Sequence, residues 1–269
     1  MLLAGAGTEG RFVSGAPTTA ATDDVALAHR RPTLGRRVVA EAIGTALLLA
    51  TVVGSGIMAE RLAGGNVALA LLANTLATGA GLVALILTFG GISGAHFNPV
   101  VTLADASQRG LARRDVLPYI VAQVGGAFVG VALAHVMFGE PLFSASRHVR
   151  CGFGQLAAEF TATFGLLSVI WGCSRSRPAA TPFAVAAYIT AAYWFTSSTS
   201  FANPAVTLAR AASDTFAGIR PGDAPGFIVA QALGAASATL LFRWLAPNLP
   251  AVADRVLSPT DREDAAWTR

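Results

Sequence analysis

The sequence predicts an all-α membrane fold, with six transmembrane helices plus two re-entrant half helices in two inverted repeats. Three observations carry this. The 269-residue chain is 54% hydrophobic and only 13% charged, with mean hydropathy +0.57, whereas soluble domains average about 25% charged residues. The pattern Asn-Pro-x-Val-Thr-Leu-Ala occurs twice, from Asn98 to Ala104 and from Asn203 to Ala209. The flanking sequence repeats as well: Glu41-x-x-Gly44-Thr45 parallels Glu159-x-x-Ala162-Thr163, and Tyr119-Ile120-Val121-Ala122-Gln123 parallels Phe227-Ile228-Val229-Ala230-Gln231.

Taken in order, residues 1–33 are rich in Gly, Ala, Thr and Asp without periodicity and read as a mobile tail. Their opening residues lack the basic stretch of a signal peptide, so the first span is expected to serve as the targeting signal. Spans are expected at 38–59 and 67–89, joined by the turn Gly64-Gly65-Asn66, and a third at 116–138. A loop over 139–152 leads to spans at 153–173, 182–196 and 226–246, and the residues after 247 read as a polar tail. The first repeat is thus 34–138 and the second 153–247, with tails at 1–33 and 248–269.

Between the second and third span of each repeat lies one Asn-Pro box. Asn is a favoured helix N-cap and Pro a favoured first helical residue, so Asn98-Pro99-Val100 and Asn203-Pro204-Ala205 each announce a helix start. The apolar runs that follow end near Ser107 and Ala212. Ten residues make ~15 Å of helix, about half of a ~30 Å hydrocarbon core. Half-spanning helices are tolerated at membrane depth where they pack in protein or line a wet cavity. The pair reads as a pore.

Each repeat holds three full spans, an odd number, so the second must enter the membrane upside down. The chain has no lysine, and its arginines test the orientation. With both tails cytoplasmic, 14 arginines lie inside and five outside, as the positive-inside bias requires. The arginines sit beside spans without interleaved aromatics, so no nucleic-acid partner is implied. Cys151 and Cys173 flank one span, separated by ~33 Å of helix, beyond disulfide reach.

The candidate functional residues follow. Asn98 and Asn203 cap their half helices, and each also has an amide donor to offer a passing solute. Glu41 and Glu159 are ionisable groups inside spans. Their symmetric placement favours bracing of the re-entrant loops by accepting backbone N–H groups, a task in which Gln is expected to substitute. His96, two residues before the first box, is either pore-facing or packed against loop backbone. His135, in span three, has no partner in the sequence and reads as structural. Gly126-x-x-x-Gly130 offers a close-packing face, between subunits or within one.

On the duplicated boxes and the flanking repeats, from about Arg36 to Pro247, the chain resembles the aquaporin and aquaglyceroporin superfamily, whose signature is a paired Asn-Pro-Ala box. The first box departs from it at Val100. In most members an arginine follows the second box and completes a selectivity filter; here that position is Val206. The resemblance places the other filter residues at Thr78, Ala191 and Ser200, and these with Val206 imply a wide, weakly polar, uncharged constriction. Arg210, one turn past Val206, is a possible filter substitute, since helical side chains lean toward the N-terminus. The preferred reading is a solvated arginine at the half-helix C-terminus, where it suits the dipole.

The open filter resembles that of the arsenic-resistance branch of bacterial aquaglyceroporin-like channels. This implies passive passage of neutral arsenous acid, methylated arsenicals, glycerol-like polyols and some water, a homotetramer in the inner membrane, and no cofactor. A water-selective channel is the alternative, and a proton-coupled transporter using Glu41 or Glu159 is a further rival. A membrane enzyme would need a nucleophile–base pair or a metal cluster, and the four scattered His and two distant Cys supply neither.

Overall fold

The structure, a computed structural model, describes residues 32–246. The expected tails lie outside the described residues, except for residues 32 and 33. Eight α-helices form the described chain: α1 (Leu34–Leu62), α2 (Val67–Ser93), α3 (Pro99–Ser107), α4 (Arg113–Phe138), α5 (Phe153–Ser176), α6 (Thr181–Phe195), α7 (Pro204–Arg210) and α8 (Ala224–Leu245). Among the described residues five helices are long and apolar enough to cross a membrane. The remaining span, α6, fifth in chain order, has 15 residues and is lengthened by the 3₁₀ turn Pro178–Ala180 that precedes it. The two re-entrant helices are short as expected, nine residues in α3 and seven in α7.

The turns obey local chemistry. Asn66 caps α2, its Oδ1 accepting the Leu69 N–H at 3.1 Å. Gly94 ends α2 in the left-handed region at φ 92°, a conformation that costs glycine little. Exposed Leu, Val, Ile and Phe cover the outside of the bundle, as a lipid-facing surface requires.

Packing follows the internal repeat. In the first half α1 lies against α4 and α2; in the second, α5 lies against α8 and α6; and α2 meets α6 across the halves. Gly126 and Gly130 let α4 approach α1 closely: a Cβ at either would overlap the carbonyl of Ala42 or Ala46. Gly234 does the same for α8 against Phe160 in α5. The Gly126-x-x-x-Gly130 face is therefore used within the subunit. Both half helices rest on α4 and α8 and touch each other, so they fill the centre from opposite sides.

Candidate pore and its constriction

The two Asn-Pro boxes meet N-terminus to N-terminus. Asn98 Oδ1 accepts the Val100 N–H at 3.1 Å, and Asn203 Oδ1 accepts the N–H groups of Ala205 at 2.9 Å and Val206 at 3.3 Å. Each amide nitrogen crosses to the other loop: Asn98 Nδ2 donates to the Ala202 carbonyl, Asn203 Nδ2 to the Phe97 carbonyl, both at 2.8 Å. An amide carries two N–H donors, so one on each Asn is left for the cavity that both residues line.

The loops that deliver these helices carry non-glycine residues in the left-handed region, at Ala95 and Phe97 in one copy and Thr199, Ser200 and Ala202 in the other. Such backbone persists only where the surroundings fix it. Here a buried carboxylate does so in each repeat. Glu41 accepts from Ser93 Oγ (2.7 Å), His96 N (2.9 Å), Phe97 N (2.7 Å) and Gln123 Nε2 (2.8 Å). Glu159 accepts from Phe201 N (2.9 Å), Ala202 N (2.8 Å) and Gln231 Nε2 (2.6 Å). Gln123 and Gln231 each also donate to the box threonine, Thr102 or Thr207, whose hydroxyl bonds the carbonyl of its own Asn. These threonines and glutamines have a structural part that the sequence reading gave them no hint of, although both pairs stand in the repeated stretches. Neither glutamate lines the central cavity. The expectation that Gln could replace Glu needs correcting: both carboxylate oxygens of Glu41 face donors, and an amide would present a donor of its own to one pair.

The cavity is a narrow lumen of about 90 Å³ running past both boxes. Its walls show helical spacing of four: Leu48 and Val52 from α1, Thr78, Leu82 and Ile86 from α2, Leu166 and Ile170 from α5, and Thr181, Val185, Ile189 and Tyr193 from α6. The lining from these helices is thus largely aliphatic. Beside Thr78, Thr181 and Tyr193 on those helices, the polar groups His96, Asn98, Ser200, Asn203 and Arg210 come from the loops and half helices. His96 is buried, with Nδ1 3.0 Å from Thr102 Oγ1 and Nε2 3.7 Å from an Asp105 carboxylate oxygen. It lines the lumen, as the first reading has it, and its ring meets half-helix side chains in place of the loop backbone of the second.

Two filter expectations are corrected. Ala191 is exposed and does not line the lumen. At 100° per residue it lies about 200° around α6 from both Ile189 and Tyr193, so counting back from the box slipped by two residues. Tyr193 takes the place, its hydroxyl 3.2 Å from Thr78 Oγ1. The second correction concerns Arg210, which is not solvated: it is only 2% exposed. Its Nε donates to the Ala217 carbonyl, and its guanidinium lies 3.4 Å from the centre of the Phe201 ring, a cation–π contact. The turn after α7 folds back and turns the side chain inward. Thr78, Tyr193, Ser200, Val206 and Arg210 all line the lumen. The lumen at this level is therefore not uncharged, and it carries the bulk of Tyr193 and Arg210. Ser200 Oγ is buried with no protein partner.

Arg150, read in the sequence only as one of the five outer arginines, braces this end. Its backbone N–H reaches Asp223 (2.9 Å), its Nε the Gly218 carbonyl (2.8 Å) and an Nη the Ser198 carbonyl (3.1 Å), with the guanidinium over Phe201 from 5.1 Å. At the opposite end Arg37 pairs with Asp115 at 2.8 Å, and Tyr119 Oη donates to the Ser93 carbonyl at 2.9 Å. Ser93 and Ser198 occupy equivalent places before the two boxes, so each loop is clasped at the same carbonyl.

Comparison with known proteins places these features in a wider group. The family model described as "Major intrinsic protein" matches residues 28–187. The chain is 57% identical over 212 residues to aquaglyceroporin AqpS of Rhizobium meliloti, across 79% of this chain and 91% of that one. It is 30% identical over 247 residues to the probable aquaporin AqpM of Archaeoglobus fulgidus, covering 80% and 98% of the two chains. Among solved structures, the aquaglyceroporin from Plasmodium falciparum superposes with a TM-score of 0.60 at 20% identity, over 81% of this chain and all of that one. That last likeness speaks for the fold alone.

Proposed function

The chain belongs to the major intrinsic protein family, and on that premise we propose that it passes small uncharged polyhydroxyl solutes: glycerol-like polyols, neutral metalloid hydroxides such as arsenous acid and its methylated relatives, and some water. It is a multi-pass membrane channel for small solutes and not an enzyme. The observation that carries the finer reading is the mixed lining of the lumen, mainly aliphatic residues from the spanning helices and N–H donors from the loops and half helices. A polyol can lay its C–H edge on the first and its hydroxyls on the second. Arsenous acid offers three hydroxyls on a compact neutral centre and needs the same donors. The name of the 57%-identical relative, an aquaglyceroporin, agrees with this class.

In this reading Asn98 and Asn203 hand the solute between the two halves, and Thr78, Tyr193, Ser200, Val206 and Arg210 form the filter. His96 stands at the cytoplasmic mouth, with both chain termini on that side of an inner membrane. The two repeats, 34–138 and 153–247, assemble one pore per subunit, and four subunits form the channel. Because Gly126 and Gly130 are occupied within the subunit, subunit contacts use other faces.

Charge exclusion has a physical basis. Half-helix N-termini each present roughly half a positive charge where the solute has shed water, and Arg210 adds a full one. Purified protein in planar bilayers is expected to carry no steady proton or alkali-cation current; a steady current would overturn this part of the reading.

A water-selective channel is favoured by one observation, the presence of two bulky side chains, Tyr193 and Arg210, in the lumen lining. Stopped-flow light scattering of proteoliposomes decides. Glycerol and arsenous acid gradients are expected to relax faster than in empty liposomes, insensitive to an uncoupler. Acceleration for water alone would replace the polyol reading with the water-selective one.

A further inference from the structure

We propose that His135 is a positioning residue for the filter: through Ser213 it fixes the turn whose carbonyl holds the Arg210 guanidinium, and so sets which solutes pass. The inference rests on the reading of Arg210 as a filter residue.

His135 lies in α4, outside the lumen, and Ser213 lies in the turn after α7. His135 Nε2 is 2.9 Å from Ser213 Oγ, across 78 residues of sequence. The two residues are 1% and 0% exposed. From Ser213 the network continues inside the turn. Ser213 Oγ is 2.9 Å from Thr215 Oγ1, the Gly218 N–H donates to the Thr215 carbonyl at 2.8 Å, and the N–H groups of Ser213 and Ile219 donate to the Arg210 carbonyl at 3.2 and 3.4 Å. The turn thus closes on the backbone of the residue whose side chain it receives: Arg210 Nε donates to Ala217.

Other contacts also hold this turn, all from the loop before α5. Arg147 binds Asp214 through its backbone N–H at 2.9 Å and its Nε at 2.7 Å, yet its side chain is 90% exposed, and exposed pairs contribute little. Ser146 N bonds the Ala211 carbonyl at 3.0 Å, and Arg150 Nε bonds Gly218. His135 supplies the buried side-chain tie from the bundle to the middle of the turn. Buried polar partners are costly to orphan, so this bond is better placed than the surface pair to hold one geometry. The matching position in the other repeat, counted from the Tyr119 and Phe227 stretches, is Arg243, which is exposed. Asp105 matches Arg210. The tie runs from the first repeat to the turn beside the guanidinium, and on the side of Asp105 the two equivalent places hold Arg243 and Gln108 instead of His and Ser.

The experiment measures the glycerol-to-water permeability ratio of proteoliposomes. The variants are His135→Leu, His135→Gln and Ser213→Ala, each made with Arg210 present and in the Arg210→Ala background. With Arg210 present, His135→Leu and Ser213→Ala are expected to raise the ratio about threefold or more, at the lower end of coupling within one network. His135→Gln, whose terminal amide reaches about as far as Nε2, is expected to restore it. In the Arg210→Ala background none of the three should move the ratio further. Ser213→Ala removes one oxygen from the loop side and tests the same bond should His135→Leu fail to fold. A merely structural role would give equal effects in both backgrounds, and that result overturns the proposal. So does an unchanged ratio in His135→Leu and Ser213→Ala when Arg210→Ala alone shifts it. If Arg210→Ala itself leaves the ratio unaltered, the filter reading falls, and this inference with it.

Discussion

Arg210→Ala is expected to raise glycerol permeability on the order of tenfold while water permeability changes far less, an effect equal to about 1.4 kcal/mol of barrier. The guanidinium stands in a lumen of only about 90 Å³, with Nε bonded to Ala217 and the plane against Phe201. Removing it opens the constriction on one side, and a bulky solute gains more from that space than single-file water does. Arg210→Lys separates size from charge. An ammonium keeps the positive charge but lacks the rigid fork and the flat face that rests on an aromatic ring, so larger solutes should pass while cations stay excluded. Val206→Arg is the complementary probe, because it adds a guanidinium one turn nearer the box and should reduce glycerol flux. If Val206→Arg shifts the solute profile and Arg210→Ala does not, the filter lies at the box position and the present assignment is wrong. Stopped-flow permeabilities of the three variants, normalised to protein per liposome, settle the matter.

The parts of this protein that could be read in the sequence are those whose chemistry is local or duplicated. Asn98-Pro99 and Asn203-Pro204 declare helix starts by capping and by the missing proline N–H, and their recurrence with the surrounding stretches exposes the repeat. Glu41 and Glu159 could be paired with loop backbone because an acid at membrane depth needs donors and a re-entrant loop needs acceptors. Position Ala191 failed for a different reason. The phase of α6 relative to the box passes through the bend at Thr196–Ser200, where Thr199 and Ser200 are left-handed, and residue counting cannot carry helical phase through such a bend. Arg210 failed because its direction is set by the irregular turn after α7 and by the Phe201 ring, neither of which has periodicity to read. His135 and Ser213, 78 positions apart, meet only in the fold. The glutamine and threonine pairs were visible as repeats; the signal was there, and only the hydrogen-bond geometry gave it meaning.

Glu41→Gln tests the loop architecture and is expected to cost stability before it touches selectivity. Glu41 is fully buried and takes two donors on each oxygen: Ser93 Oγ and the His96 N–H on Oε1, Phe97 N–H and Gln123 Nε2 on Oε2. Gln has one acceptor oxygen, and its NH₂ would face whichever pair it replaces. Two buried donors then lose their partner, at about 1–3 kcal/mol each. The sum is a large part of a typical net stability of about 5–15 kcal/mol. The loss falls where the chain is already strained, since Ala95 and Phe97 both sit at φ 48°: the Phe97 N–H bonds this carboxylate directly, and the Ala95 N–H bonds the Ser93 hydroxyl that donates to it. Glu159→Gln should behave alike, with two backbone donors and Gln231 Nε2 on its oxygens. Both variants are expected to unfold at clearly lower temperature in detergent and to give less monodisperse protein, with Glu41→Leu worse than Glu41→Gln because every donor is then orphaned. The surviving folded fraction should keep a wild-type ratio of glycerol to water flux, because neither carboxylate lines the lumen. A Glu41→Gln protein that melts like wild type yet conducts nothing would instead make Glu41 a proton site and the passive-channel reading untenable.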